Sequence, residues 1–191
     1  PGADVAAGGD VTTGREARPA AVTGEVATVM CTDIVGSTRM AVDLGDQRWA
    51  AVLREHDGLV RHHVARYGGR EVKTTGDGFL VTFGSARAAV ACATEVHAAM
   101  AGWRANHPEA PLEVRVGVHA GEVEHNGDDV VGRNVTLACR LCDAAAPGEV
   151  LASSTVVSLA DSASDLVFGA GRDLSLSGFP DAVTVHPAGR R

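Results

Sequence analysis

The chain has 191 residues, 45% hydrophobic and 21% charged, which suits one soluble globular domain with enough apolar surface for its own core. Lys and Arg total 17 against 24 Asp and Glu, a formal charge of −7; this excludes a bulk electrostatic footprint for nucleic acid or an anionic membrane, but not a phosphorylated small molecule carried with metal ions. No apolar run approaches the roughly 18 residues of a membrane helix, and the first residues lack the basic-then-apolar order of a signal peptide.

Residues 1–24, "PGADVAAGGDVTTGREARPAAVTG", are small, polar and without periodicity, and read as a disordered lead-in or linker to a folded domain over 25–191. Pro1 in place of an initiator Met fits a domain cut from a longer protein. The apolar run Val26 to Met30 predicts a buried strand that leads into "CTDIVGST". From Thr38 to Tyr67 the apolar residues fall near helical spacing, which predicts one long helix broken near Gly45 and ended by Gly68-Gly69. "REVKTTGDGFLVTF" alternates on both sides of Gly76-Asp77 and predicts an antiparallel hairpin. A second, Ala-rich helix spans Ser85 to Trp103, and "PLEVRVGVHAGEV" predicts a fourth strand ending at Gly121.

This β-α-β-β-α-β order predicts an α+β fold: a ferredoxin-like, mainly antiparallel sheet with both helices on one face. The other face is then free for a ligand or partner. C-terminal additions follow: a helix over Gly132 to Ala145, a strand and helix start over Val150 to Leu159, and a closing hairpin from Arg172 to Ala188.

Asp33 sits where a strand ends and Gly36-Ser37-Thr38 opens a helix, so free backbone N–H groups face any incoming phosphate. A carboxylate beside an anion site needs a cation between them. Asp77 lies at the hairpin tip, and if the hairpin's first strand pairs beside the first strand of the fold, the two carboxylates meet. Taken singly, Asp33 fits a helix cap and Asp77 a turn residue; together with the turn they suit Mg²⁺, which shares its ligands with substrate oxygens. Four scattered cysteines, Cys31, Cys92, Cys139 and Cys142, lack the density of a disulfide framework and fit a reducing cytoplasm. The Cys139-x-x-Cys142 pair lies within a predicted helix and reads as core or helix surface, and His62, His63 and His119 read as ordinary surface or strand residues.

Four segments resemble the class III nucleotidyl cyclases, the adenylyl and guanylyl cyclases, over Glu25 to Pro187. "TDIVGST" is similar to that family's D-[IL]-x-[GS]-[FS]-T, and "EVKTTGDGFLVTF" to its K-x-x-G-D hairpin. "VRVGVHAGEV" is similar to its R-[VI]-G-[IV]-H-x-G, and "DDVVGRNVTLACRL" to its D-x-x-G-x-x-V-N-x-A-x-R. "CTDIVGST" looks most like the bacterial, actinobacterial-type branch.

The resemblance implies two Mg²⁺ or Mn²⁺ ions on Asp33, Asp77 and the Ile34 carbonyl, with in-line attack of the ribose 3′-hydroxyl on the α-phosphate and loss of pyrophosphate. It makes Arg140 the donor to the α-phosphate and Arg115 a donor to the terminal phosphates. Lys73 and Asp129 would read the base, in the polarity that suits ATP. It further implies a head-to-tail homodimer in which Asp33 and Asp77 of one subunit meet Lys73, Asp129, Thr136 and Arg140 of the other. Two positions depart from the pattern: Thr136 stands where the family has Asn, and Ser177 where many members have Lys before the glycine, here Gly178. Guanylyl cyclase and a degenerate, nucleotide-binding regulatory domain are the alternatives. "TTGDGF" at the hairpin, without a G-G-D-E-F-like turn, argues against a diguanylate cyclase.

Overall fold

The computed structural model describes residues 24–191, so the expected lead-in lies outside the described residues except for Gly24, which opens the first strand. That strand, β1 (Gly24–Ile34), is an interior strand of the sheet. It is buried on both faces from Ala27 to Thr32, as its near-continuous apolar run requires. Two helices follow, α1 (Ser37–Leu44) and α2 (Asp46–Arg66), parted at the expected break by Gly45, whose φ of 75° a side-chain-bearing residue rarely adopts. The hairpin is β2 (Arg70–Thr74) and β3 (Phe79–Phe83). Helix α3 (Ala86–Asn106) starts at Ser85, whose hydroxyl accepts from the Ala88 N–H at 3.4 Å, and leads into β4 (Val114–Asn126).

The remaining elements are β5 (Asp129–Val131), α4 (Arg133–Ala144), β6 (Val150–Ser153), α5 (Ser154–Ala160), β7 (Leu166–Phe168), β8 (Arg172–Leu174) and β9 (Val183–Arg190). The strand order is β2-β3-β1-β4-β6-β9-β7, with β5 paired to β4 and β8 to β9. Its first four strands are the expected ferredoxin-like core, and β8 with β9 is the expected closing hairpin. Strands β5 and β7, three residues each, carry too little alternation to be read from sequence. Strand β4 runs through Gly121 to Asn126 instead of ending there, because β1 and β5 pair along that extension.

Two expectations are corrected. The hairpin's second strand, β3, and not its first, lies beside β1, antiparallel, with Thr32 opposite Phe79; β2 is the edge. The Thr75–Gly78 turn still ends next to the C-terminus of β1, and a side chain at Gly78 would collide with the Thr32 carbonyl. Nor is the second sheet face free of helices. Alternation sends Met30, Val114, Val116 and Val118 into the main core with Val60, Val90 and Met100 of α2 and α3, and sends Ala27, Val29 and Cys31 toward Val135, Ala138 and Cys142 of α4. Helix α4 lies so close to β4 that a Cβ on Gly117 would strike the Cys142 amide and the Ala138 carbonyl.

Candidate active site

The site grows from the α4 face of the sheet. Asp33 is half-buried at the end of β1, where the next residue, Ile34, buries its side chain in the main core and leaves only its carbonyl as a candidate ligand. Arg115, the residue opposite Asp33 in the β1–β4 register, donates from Nε to Asp33 Oδ2 at 2.7 Å, and its Nη2 lies 2.6 Å from the same oxygen as an ion pair. Arg115 Nη1 donates to the Asp143 carbonyl at 2.8 Å, so this guanidinium ties β1, β4 and the last turn of α4 together. Arg140, one turn earlier on α4, donates to Asp143 Oδ2 at 3.2 Å.

A cavity of about 400 Å³ lies between α4 and the hairpin, lined by Asp33, Lys73, Thr136, Arg140 and the paired sulfurs of Cys31 and Cys139. Lys73 donates to Asp129 Oδ2 at 2.7 Å across β2 and β5, and Asp129 Oδ1 accepts the Val130 N–H at 2.8 Å. The Lys73 bond first, and the backbone bond second, hold the Asp129 carboxyl below the usual carboxylate range. Thr136 spends its proton on its own helix, donating to the Gly132 carbonyl at 3.2 Å. A smaller cavity, about 220 Å³, is lined by Asp77 and Gly76 of the hairpin turn and by Ser37 and Thr38 of the first turn of α1. Gly36, at a φ of 70°, caps that helix without a side-chain bond, and its exposed backbone leads into the same first turn.

Sequence reasoning thus named residues that fall into two clusters. Asp33, Lys73, Thr136 and Arg140 share one cavity, with Asp129 and Arg115 bonded at its edge; Asp77, Ser37 and Thr38 share another. The two carboxylates do not line one cavity. They flank the tight contact between Gly78 and the Thr32 carbonyl, which brings the hairpin tip to the end of β1. Among the described residues no three His, Cys, Asp or Glu side chains gather as a closed metal cage. Two carboxylates and a carbonyl do suit a hard divalent ion that completes its shell with water and phosphate oxygens. The guanidinium on Asp33 Oδ2 marks that carboxylate as a place where positive charge is held.

Several partners were missed. Asp143, which takes both arginines, has no motif signal. His63 is buried, not a surface residue, and His119, a strand residue as expected, is buried as well. His119 bonds Ser153 Oγ through Nδ1 at 2.8 Å and Asn134 Oδ1 through Nε2 at 3.1 Å, linking β4, β6 and the start of α4, and burial keeps it below the usual histidine pKa. A signal existed: His119 lies between Gly117 and Gly121 on one face, and both glycines make room for α4, Gly121 for the Asn134 side chain. Cys139 is neither simple core nor simple surface, since it is disulfide-bonded to Cys31, 108 residues away, with 5.3 Å between Cα atoms. Ser177 lies exposed in the Leu176–Phe179 turn, closed by the Phe179 N–H to Leu176 carbonyl bond.

The comparisons agree with this architecture. The family model described as the adenylate and guanylate cyclase catalytic domain matches residues 20–185. The adenylate cyclase of Streptomyces coelicolor is 34% identical over 119 residues, which cover 62% of this chain and 30% of that protein. The chain spans 24%, 16% and 37% of the length of three other curated relatives. Among solved structures, the adenylyl cyclase CyaB from P. aeruginosa is 26% identical with a TM-score of 0.79, covering 87% of this chain and 95% of that one. The guanylyl cyclase Cya2 is 25% identical with a TM-score of 0.81, covering 89% and 95%. A family match over most of the described residues, on a sheet of the expected order, places the chain in the adenylate and guanylate cyclase catalytic domain family.

Proposed function

We propose that the chain is an adenylyl cyclase domain that converts ATP to 3′,5′-cyclic AMP and pyrophosphate in the cytoplasm, as a homodimer with two shared sites. The observation that carries the choice of ATP is the Lys73–Asp129 pair, a donor and an acceptor 2.7 Å apart at the rim of the larger cavity. An ammonium donates to adenine N1 and a carboxylate accepts from the N6 amino group, whereas guanine offers N1–H and O6 in the reverse polarity. The Streptomyces relative's name points the same way; the two solved structures carry opposite names, so the fold does not choose the base.

Two Mg²⁺ or Mn²⁺ ions held by Asp33, Asp77 and the Ile34 carbonyl would make the ribose 3′-hydroxyl more acidic and anchor the triphosphate. The remaining work falls to the chain. The 3′-oxygen forms a bond to the α-phosphorus, the bond to the bridging oxygen of pyrophosphate breaks, and the hydroxyl proton passes to solvent. Arg140 releases Asp143 and donates to the α-phosphate oxygens as their charge grows. Arg115, held between Asp33 and Asp143, swings onto the terminal phosphates, and the backbone N–H groups of Gly36, Ser37 and Thr38 add donors at the start of α1. Thr136 exchanges its Gly132 carbonyl for the ribose side of the transition state; its reach is shorter than that of an amide, which lowers the rate.

The division into two cavities supports the dimer. Asp77 and the α1 terminus lie apart from Lys73, Asp129, Thr136 and Arg140, the proposed base and α-phosphate half; Asp33 lines the cavity of that half and would join Asp77 from the end of β1. A head-to-tail pair apposes unlike halves. The test of the reaction is to incubate the purified chain with ATP or GTP and each metal, and to weigh the product. Cyclic AMP is expected. Cyclic GMP alone would contradict the base assignment, and neither product would favour a domain that only binds nucleotide.

A further inference from the structure

The four cysteines divide into two kinds. Cys92 and Cys142 are buried, and burial pushes both thiols up to about 12, which makes them poor nucleophiles. Cys31 and Cys139 are bonded to each other; both line the larger cavity, as does Cys142, but of the three only Cys139 is half-buried and within reach of small molecules. Their neighbours are the proposed chemical groups. Cys31 lies two residues before Asp33 on one face of β1; Cys139 adjoins Arg140 and lies one turn after Thr136 on α4.

We propose that Cys31 and Cys139 form a reversible thiol–disulfide switch whose closed state holds the nucleotide site at rest. The bond fixes the middle of α4 to β1. One turn further along α4, the Asp143 carbonyl accepts Arg115 Nη1 at 2.8 Å, while Arg115 Nε and Nη2 hold Asp33 Oδ2 and the Asp143 carboxylate holds Arg140 at 3.2 Å. The closed state therefore satisfies the proposed metal ligand and both proposed phosphate donors within the chain. Opening the bond frees the end of α4, and with it Asp33 for a cation and the arginines for phosphate.

The oxidant is a small-molecule disulfide. The Cys139 thiolate attacks one of its sulfurs and expels the first small thiol, and the Cys31 sulfur then attacks Cys139 in the mixed disulfide and expels the second. Two protein thiol protons are lost, two electrons reduce the small disulfide, and one protein S–S bond forms; two small thiols reverse the sequence. A disulfide in a compartment that keeps thiols reduced is characteristically transient or redox-sensing.

The experiment equilibrates the full chain across a series of reduced-to-oxidised glutathione ratios, traps thiols with an alkylating agent, maps them by mass, and titrates each sample with Mn²⁺ alone. The switch predicts that Cys31 and Cys139 lose reactivity together while Cys92 and Cys142 do not join, and that the reduced chain binds Mn²⁺ at least about fivefold more tightly. Linkage requires the reverse: saturating Mn²⁺ lowers the oxidation of the pair by the same factor, about 20 mV for a two-electron couple. Cys139→Ser should follow the reduced curve at every ratio, and Cys31→Ser provides the same control from the other side. Thiols that stay separately reactive at every ratio, or a bond that forms without changing Mn²⁺ affinity, would overturn the switch. Its effect on turnover, a rise on reduction, rests on the cyclase reading. A redox-dependent Mn²⁺ affinity in a chain that cyclises neither nucleotide would support the switch and sink the reaction.

Discussion

The two faces of the sheet are built from opposite alternation and do different work. On the α2–α3 face, Met30, Val81, Val116 and Val118 meet Val60, Val90, Val96 and Met100 in an apolar core where these side chains are fully buried. On the α4 face, a smaller apolar cluster is rimmed by half-buried and exposed charges that pair with one another: Asp33 with Arg115 and Lys73 with Asp129 across elements, and Arg140 with Asp143 along α4. A dry core gains from burial without direction, whereas charges at a cavity edge keep directed partners that a substrate can replace. On the proposed reading the α2–α3 face carries stability, while the charges that rim the α4 face, with Asp77 at the hairpin tip, carry the chemistry, and the two sets should respond to different mutations.

The largest separation should come from the site face. Arg140→Ala is expected to lower turnover by about 10²–10³-fold, the usual effect of removing one donor to a developing oxyanion, and Asp77→Ala by at least as much, with thermal midpoints near wild type. Steady-state kinetics beside thermal melts would show it; a large drop in melting temperature would break the comparison. The core face should give the mirror image. Met100→Ala, at a fully buried position, should cost about 2–5 kcal/mol in denaturant unfolding while turnover per folded molecule is retained.

A smaller effect sharpens the site face. Lys73→Glu with Asp129→Ser should weaken ATP use and improve GTP use, each lost bond to a base edge costing about 1–3 kcal/mol in relative kcat/KM. An unchanged ratio would show that this pair does not read the base. The smallest effect is on pH. Burial holds His56, His63 and His119 below the usual histidine pKa. As pH falls through 6.5 toward those lowered values, the unfolded chain takes up protons that the folded chain refuses, so stability declines; above that window the contribution is constant. His56 is fully buried, with Nδ1 on Asp57 at 3.1 Å and Nε2 without a partner, so His56→Leu should flatten the decline between pH 7 and 5.

Much of this was legible in the chain. Periodicity located α1, α2, α3, α4 and the hairpin, and Gly45 marked the break because a positive φ favours glycine. Motif spacing singled out Asp33, Lys73, Asp77, Asp129 and Arg140 as candidates. What was hidden depends on contacts across long sequence separations. Alternation tells which residues share a face but not which strand lies next, so it does not distinguish the β3–β1 pairing from β2–β1. The same limit concealed α4 on the second face, the Arg115–Asp33 pair 82 residues apart and the Cys31–Cys139 bond. The closeness of α4 to β4 left a trace only in Gly117 and Gly121, glycines whose missing side chains make the room.

The central claim is that unlike halves from two subunits make each site. It is tested most directly by mixing Asp77→Ala and Arg140→Ala chains, each dead alone, because the two residues lie in different cavities of one chain. Random pairing of equal amounts makes half of the dimers mixed, each with one site carrying both defects and one intact, so about a quarter of wild-type cyclic AMP formation should return. Verified subunit exchange with no recovered activity would contradict the shared site and assign the reaction to groups within a single chain.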